Sequence, residues 1–208
     1  LIYTFIFTDR ILAWSSTLNR NLPYVVYYEK DYEIGMDLAI LVFFLLAGVL
    51  EYSITSFSRN MDYWQRKLKY NKIEVFNSNM KKLYFKHLRI FAISAVIIAL
   101  FLYGIITKPW GYEAGFDETL SPLSIKVCLI GSFGYLFLTL GMLNVLYLYT
   151  LNQHKKPLKA ILIAFLLNLA FGISLSRMVA YEDSVIGMLI GSLFFMCYTT
   201  VATLKFLK

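Results

Sequence analysis

Five stretches of about 20 predominantly apolar residues govern what this chain can fold into: Asp37 to Phe57, Leu88 to Thr107, Ser124 to Thr150, Leu158 to Arg177 and Val185 to Lys205. About 20 such residues carry a helix across a hydrocarbon core of about 30 Å. Lipid offers the backbone no hydrogen bonds, so each stretch is expected to be a helix that satisfies its own amides. A sixth stretch, Leu1 to Trp14, is too short as it stands and long enough if apolar residues precede Leu1. The chain begins Leu-Ile-Tyr, not Met, and has no basic segment before its first apolar run, so an upstream part is expected. The expected class is all-α, a polytopic membrane protein of about six transmembrane helices. Composition agrees: 59% of the residues are hydrophobic and only 16% charged, against about 25% charged in soluble domains. A cytosolic enzyme, a disordered region and a disulfide-stapled secreted domain are all disfavoured.

A net charge of +7 could suggest nucleic acid, but the distribution of charge points to orientation in a membrane instead. The segment 58–89 holds nine Lys and Arg against Asp62 and Glu74. The turn with His154, Lys155, Lys156 and Lys159 has no acid, and the tail carries Lys205 and Lys208. These three belong on the cytoplasmic side by the positive-inside rule. The segments between them, Ser15 to Met36, Lys108 to Ser121 and Met178 to Ser184, carry Glu29, Asp31, Glu33, Glu113, Asp117, Glu118, Glu182 and Asp183 and belong outside. One alternation satisfies every loop, with the C-terminus cytoplasmic.

Two loops carry further expectations. From Met61 to Tyr84, Met61, Trp64, Leu68, Phe76, Met80 and Leu83 recur at helical spacing, which suits an interfacial helix docking a cytosolic partner or an anionic lipid surface, or a charged loop that only sets topology. Arg66, Lys67, Lys69, Lys72, Lys81 and Lys82 are the candidate docking residues. In the outer loop, Trp14, Tyr24, Tyr27, Tyr28 and Tyr32 read as an interfacial aromatic belt or as stacking surfaces for sugar rings.

Ionisable groups at membrane depth are costly, and each is a candidate for function. Asp9 and Arg10 point about 100° apart on a helix, so each needs a partner on another helix, or contacts a transported molecule. Glu51, six residues inside the end of its stretch, is the foremost functional carboxylate, as a proton or cation site or as the buried partner of a basic group. Asp37 reads as a solvated cap. Asn144 and Asn168 suit interhelical hydrogen bonding or the polar lining of a conduit. Gly131 with Gly134 and Gly187 with Gly191 suit close helix packing, and Arg177 an outer-interface charge. Cys128 and Cys197 read as buried free thiols, and His87 and His154 as solvated loop histidines. No phosphate-cradling glycine loop, zinc motif or nucleophile–base arrangement is visible, so no cofactor, metal or catalytic residue is assigned.

The stretch Thr8-Asp9-Arg10-Ile11-Leu12-Ala13-Trp14, the Tyr32-Glu33-Ile34 turn leading into Leu38-Ala39-Ile40-Leu41, Glu51 before the aromatic helix end at Phe57, and Leu146-Tyr147-Leu148-Tyr149 before a basic turn together resemble the Pel exopolysaccharide transporter family. That family is a branch of the flippase superfamily that includes multidrug extruders and lipid-linked oligosaccharide flippases. Glu51-Tyr52 stands where the family pattern has Glu-Thr, and no acid follows Tyr149. The resemblance covers essentially the whole chain and implies that 1–208 is one transmembrane lobe, the C-terminal half of a two-lobed transporter. It implies carriage of a hexosamine-rich polysaccharide across the bacterial inner membrane, beside a cytosolic glycosyltransferase and a membrane subunit that binds cyclic di-GMP. A lipid-linked oligosaccharide flippase, an ion-coupled drug extruder and a non-transporting scaffold for a glycosyltransferase are the alternatives.

Overall fold

In a computed structural model describing residues 1–16, 26–67 and 73–207, the chain is all helical, with no strand among the described residues. The helices are α1 (Ile2–Trp14), α2 (Lys30–Lys67), α3 (Ile73–Thr107), the short α4 (Tyr112–Phe116), α5 (Pro122–Thr150), α6 (Lys155–Met178) and α7 (Ser184–Phe206), with a 3-10 turn over Tyr181–Asp183 before α7. Five of them, α2, α3, α5, α6 and α7, are long and apolar enough to cross a membrane, and the chain is a multi-pass membrane protein. At 13 residues, α1 spans about 20 Å, less than the hydrocarbon core.

Helix limits follow local chemistry. Ser121 caps α5, accepting the Ser124 amide at 3.1 Å, and Pro122 supplies a first-turn residue with no amide to satisfy. Acids Asp31 and Glu33 lie in the first turn of α2 and bases Arg66 and Lys67 in its last, each complementing the helix dipole. Asp117 ends α4 in the left-handed conformation, with φ 52°.

The helices pack in the order α3, α2, α5, α7, α6, with α1 lying over the seam between α6 and α7. Hydrocarbon outside the bundle is as apolar as its core, so close backbone approach and polar ties must supply the association. The Gly187 and Gly191 pair does this on α7: a Cβ on Gly187 would lie 2.7 Å from the Asn168 carbonyl oxygen, and one on Gly191 2.7 Å from that of Ala164. Gly35 of α2 meets α5 similarly, where a Cβ would lie 2.7 Å from the Ser124 carbonyl oxygen.

Several loop expectations are corrected. Lys30 to Met36 is the beginning of α2: Tyr32 and Glu33 are buried and bonded to α1, while Lys30 stays exposed beside Glu118. Tyr32 is fully buried and therefore no member of an aromatic belt, whereas Tyr27 and Tyr28 are exposed; Tyr24 lies outside the described residues. Met61 to Tyr84 does not form one interfacial helix. Its described residues are the end of α2 and the beginning of α3, two helices longer than the membrane is thick, and Met80 and Tyr84 are buried between them and the bundle. His87 sits inside α3, fully buried, while His154 is the exposed residue before α6. Cys128 is buried but Cys197 is exposed.

Candidate functional site

Three polar assemblies lie on the apolar helices, and only one of them is left open. The first joins α1 to α2 at the end where α2 begins. Arg10 and Asp9 both find their partners on α2. Arg10 Nη1 meets Glu33 Oε2 at 2.5 Å and Asp37 Oδ1 at 2.8 Å. Trp14 Nε1 donates to Glu33 Oε1 at 2.8 Å. Asp9 Oδ2 accepts from the Tyr32 hydroxyl at 2.8 Å, and that hydroxyl accepts from Ser184 Oγ of α7 at 3.0 Å. Asp37 is thus solvated, with its side chain 66% exposed, but it is an ion-pair partner two turns inside α2 and not a cap. Nearby, Lys126 bonds Asp183 at 2.8 Å, and Arg177 donates to the Ser15 carbonyl and, at 2.8 Å, to Ser15 Oγ. These ties join α1, α2, α5, α6 and α7 at one end of the bundle.

The second assembly ties the opposite end. Tyr84 of α3 donates to Asn144 Oδ1 at 2.7 Å, and Asn144 Nδ2 donates to Thr200 Oγ1 of α7 at 2.8 Å. His87 bonds the Tyr147 hydroxyl on one ring nitrogen and Ser56 Oγ, at 3.1 Å, on the other. Asn144 is fully buried, so it bridges helices and lines no open path. Asn168 is likewise buried and donates to the Phe5 carbonyl at 3.2 Å, joining α6 to α1.

The third assembly is a stripe on α2. Glu51 is exposed and makes no hydrogen bond or ion pair among the described residues, so it is not the buried partner of a base. Tyr52, Thr55 and Arg59 are exposed beside it. Positions 48, 51, 52, 55 and 59 fall on one helical face, and a Cβ on Gly48 would meet nothing within 4 Å. The outward face therefore changes along the helix, from exposed Phe44 and Leu45 to carboxylate, phenol, hydroxyl and guanidinium. A cavity of about 180 Å³ is lined by Tyr52, Thr55, Ser56, Arg59 and Asn60. The second assembly backs this stripe, since His87 holds Ser56 and its ring meets Tyr52 edge-on at 6.0 Å between centroids. Glu51 lies about 9 Å along the helix from Phe57, which keeps it within the apolar stretch. A charged side chain is tolerated there when it faces water or protein instead of hydrocarbon.

Of the candidate residues, Asp9 and Arg10 come together, while Glu51, Asn144 and Asn168 occupy three separate places. Lys69 and Lys72 lie outside the described residues. Arg66 is exposed and paired with Asp62 at 2.9 Å, Lys67 lies over the Tyr63 and Trp64 rings, and Lys81 and Lys82 are exposed. Sequence reasoning missed Tyr52, Thr55 and Arg59, although their spacing from Glu51 signals a shared face. It also missed Glu33 and His87, which it placed in loops. Comparison of the chain with protein-family models, with curated proteins and with solved structures returns no match.

Proposed function

We propose that the protein is one lobe of a membrane transporter for an exopolysaccharide of the Pel type, and that the stripe Glu51, Tyr52, Thr55 and Arg59 of α2 lines the path of the polymer. The single observation that supports this most is the unpartnered Glu51 on an outward face at membrane depth. An aromatic ring for the apolar face of a sugar, with carboxylate, hydroxyl and guanidinium groups for its hydroxyls and amines, is the chemistry a hexosamine polymer requires. On this reading the second lobe lies across the path from α2, and the protein transports without catalysing a reaction. The basic end of the bundle, with Arg66, Lys67, Lys81 and Lys82, faces the bacterial cytoplasm and receives a glycosyltransferase and a cyclic di-GMP-binding membrane subunit. The C-terminus is cytoplasmic.

The test is Glu51→Gln in the full-length protein, with secreted polymer measured at matched membrane abundance. Secretion is expected to fall about tenfold, the equivalent of losing one charge-assisted hydrogen bond to the passing polymer. Unchanged secretion would remove Glu51 from the path. Charge reversal at Lys67, Lys81 and Lys82 should weaken co-purification of the glycosyltransferase, and undiminished co-purification would remove the docking assignment.

A further inference from the structure

His87 backs the polar stripe on α2, and its two bonds fix the direction in which a third group can give a hydrogen. It is fully buried, with the Tyr147 hydroxyl on Nδ1 and Ser56 Oγ, at 3.1 Å, on Nε2. A neutral imidazole donates through one nitrogen and accepts through the other. Tyr147 decides which. Its side chain is buried against Phe57 and Tyr84, and its hydroxyl has no partner but His87 among the described residues. A buried phenol hydrogen without an acceptor is costly, so Tyr147 donates to Nδ1. Nε2 then carries the ring hydrogen and donates to Ser56 Oγ. The reverse arrangement, like a ring protonated on both nitrogens, would strand the Tyr147 hydrogen.

Ser56 therefore accepts from the ring and keeps its own hydrogen to give. That hydrogen has no acceptor among the described residues, and Ser56 lines the cavity of about 180 Å³ with Tyr52, Thr55, Arg59 and Asn60. The five positions are three and four residues apart on α2 and share one face. No acid lines the cavity among the described residues, since Glu51 stands outside it. The Arg59 guanidinium, one turn beyond Ser56, is exposed and has no ion pair among the described residues. A guanidinium can only donate. Two neighbouring groups thus offer hydrogens into one small space, and no carboxylate there takes them.

We propose that this cavity receives an oxygen with no hydrogen of its own, a carbonyl or carboxylate oxygen of the passing polymer, between Ser56 Oγ and the Arg59 guanidinium. Ser56 is then a specificity residue, and His87 and Tyr147 are positioning residues that hold it in the donor role. Amino groups of the polymer, which present hydrogens, fall to the Glu51 carboxylate instead. The inference rests on the reading of this stripe as the polymer's path.

The direction of the bond is read by nitrogen NMR of the full-length protein with isotope-labelled histidine, the His87 signals being those lost in His87→Gln. A hydrogen on Nε2 and a bare Nδ1 are expected, and a hydrogen on Nδ1 would overturn the relay. Tyr147→Phe removes the hydrogen that selects this form and should mix the two. At matched membrane abundance, Ser56→Ala should lower secreted polymer about fivefold, the loss of one hydrogen bond, and Ser56→Thr should restore most of it. Tyr147→Phe should lower secretion when Ser56 is present and add nothing in Ser56→Ala. A further fall in the double variant would make Tyr147 a packing residue and overturn its positioning role. Arg59→Gln keeps a donor and drops the charge, so a loss of about tenfold identifies a carboxylate and one below about threefold a carbonyl. Unchanged secretion in Ser56→Ala beside a fall in Glu51→Gln would overturn the donor site and leave the path standing. Unchanged secretion in both would remove the path itself, and this site with it.

Discussion

Arg10 and Glu51 are both charges carried at membrane depth by apolar helices, and the structure treats them in opposite ways. Arg10 is buried and answered within the chain by Glu33 and Asp37. Glu51, on the same helix as those acids, points outward with no partner among the described residues. Placing a charge in hydrocarbon is unfavourable in both cases, so an answered charge marks how the bundle is held together. An unanswered one marks a surface that meets something other than lipid. The outward face of α3, with Ile93, Val96, Ile97, Leu100 and Phe101 all exposed, shows what a surface fitted to hydrocarbon looks like on the neighbouring helix.

The sharpest way to break the contrast is to remove each charge and measure unfolding in detergent. Arg10→Met leaves Glu33 buried without its cation and should cost about 3–5 kcal/mol, with much of the loss recovered by adding Glu33→Gln. Glu51→Gln should change stability by less than about 0.5 kcal/mol, as a substitution with no partner to lose. Equal losses from the two would erase the distinction. A gain of charge tests the surfaces directly. Ile97→Arg, near the middle of the apolar stretch of α3, should cost about 3 kcal/mol when the membrane-inserted folded fraction is measured. Thr55→Arg, on the α2 stripe, should cost less than about 1 kcal/mol if water or protein faces it. A penalty at Thr55 as large as at Ile97 would mean that the stripe meets lipid.

How much of this was legible in the sequence depends on which physical signal each part leaves. The five spans show because apolar length is a local property, and charge alternation in the loops shows because it is a property of segments. Helix ends do not. Glu33, Asp37 and His87 look like loop or cap residues when polarity is taken to mean solvent, but Arg10 of α1 answers the two acids while Ser56 of α2 and Tyr147 of α5 answer His87, and α2 and α3 extend well past the apolar stretches. Asn144 and Asn168 left a correct trace as isolated amides in apolar helices, whose partners Tyr84, Thr200 and Phe5 only the fold reveals. The depth of Glu51 was legible and its direction was not, because direction is set by which faces of α2 meet α5 and α3. Tyr52, Thr55 and Arg59 were readable once Glu51 was treated as a face and not as a point.

Accessibility separates the two surfaces by about tenfold or more in labelling rate, since a thiol ionises and reacts in water but not in hydrocarbon. In a Cys197→Ser background, which removes the exposed native thiol while Cys128 stays buried, Thr55→Cys should react quickly with a charged, membrane-impermeant thiol reagent and Ile97→Cys slowly. Equal rates would place both faces in one environment.

The smallest effect lies in the answered polar groups themselves. Tyr84 and Asn144 share a hydrogen bond of 2.7 Å that ties α3 to α5, beside the His87–Tyr147 bond between the same two helices. Such bonds gain only a little in membranes, because the separated helices find other partners for the same groups. A double-mutant cycle of Tyr84→Phe and Asn144→Ala should therefore give a coupling of about 0.6 kcal/mol, or about threefold in the folded ratio. A coupling near that of the Arg10 ion pair would mean that α3 is held chiefly by this bond. A coupling of zero would mean that Asn144 is satisfied through Thr200 alone, leaving packing on α2 and the His87–Tyr147 bond to hold α3.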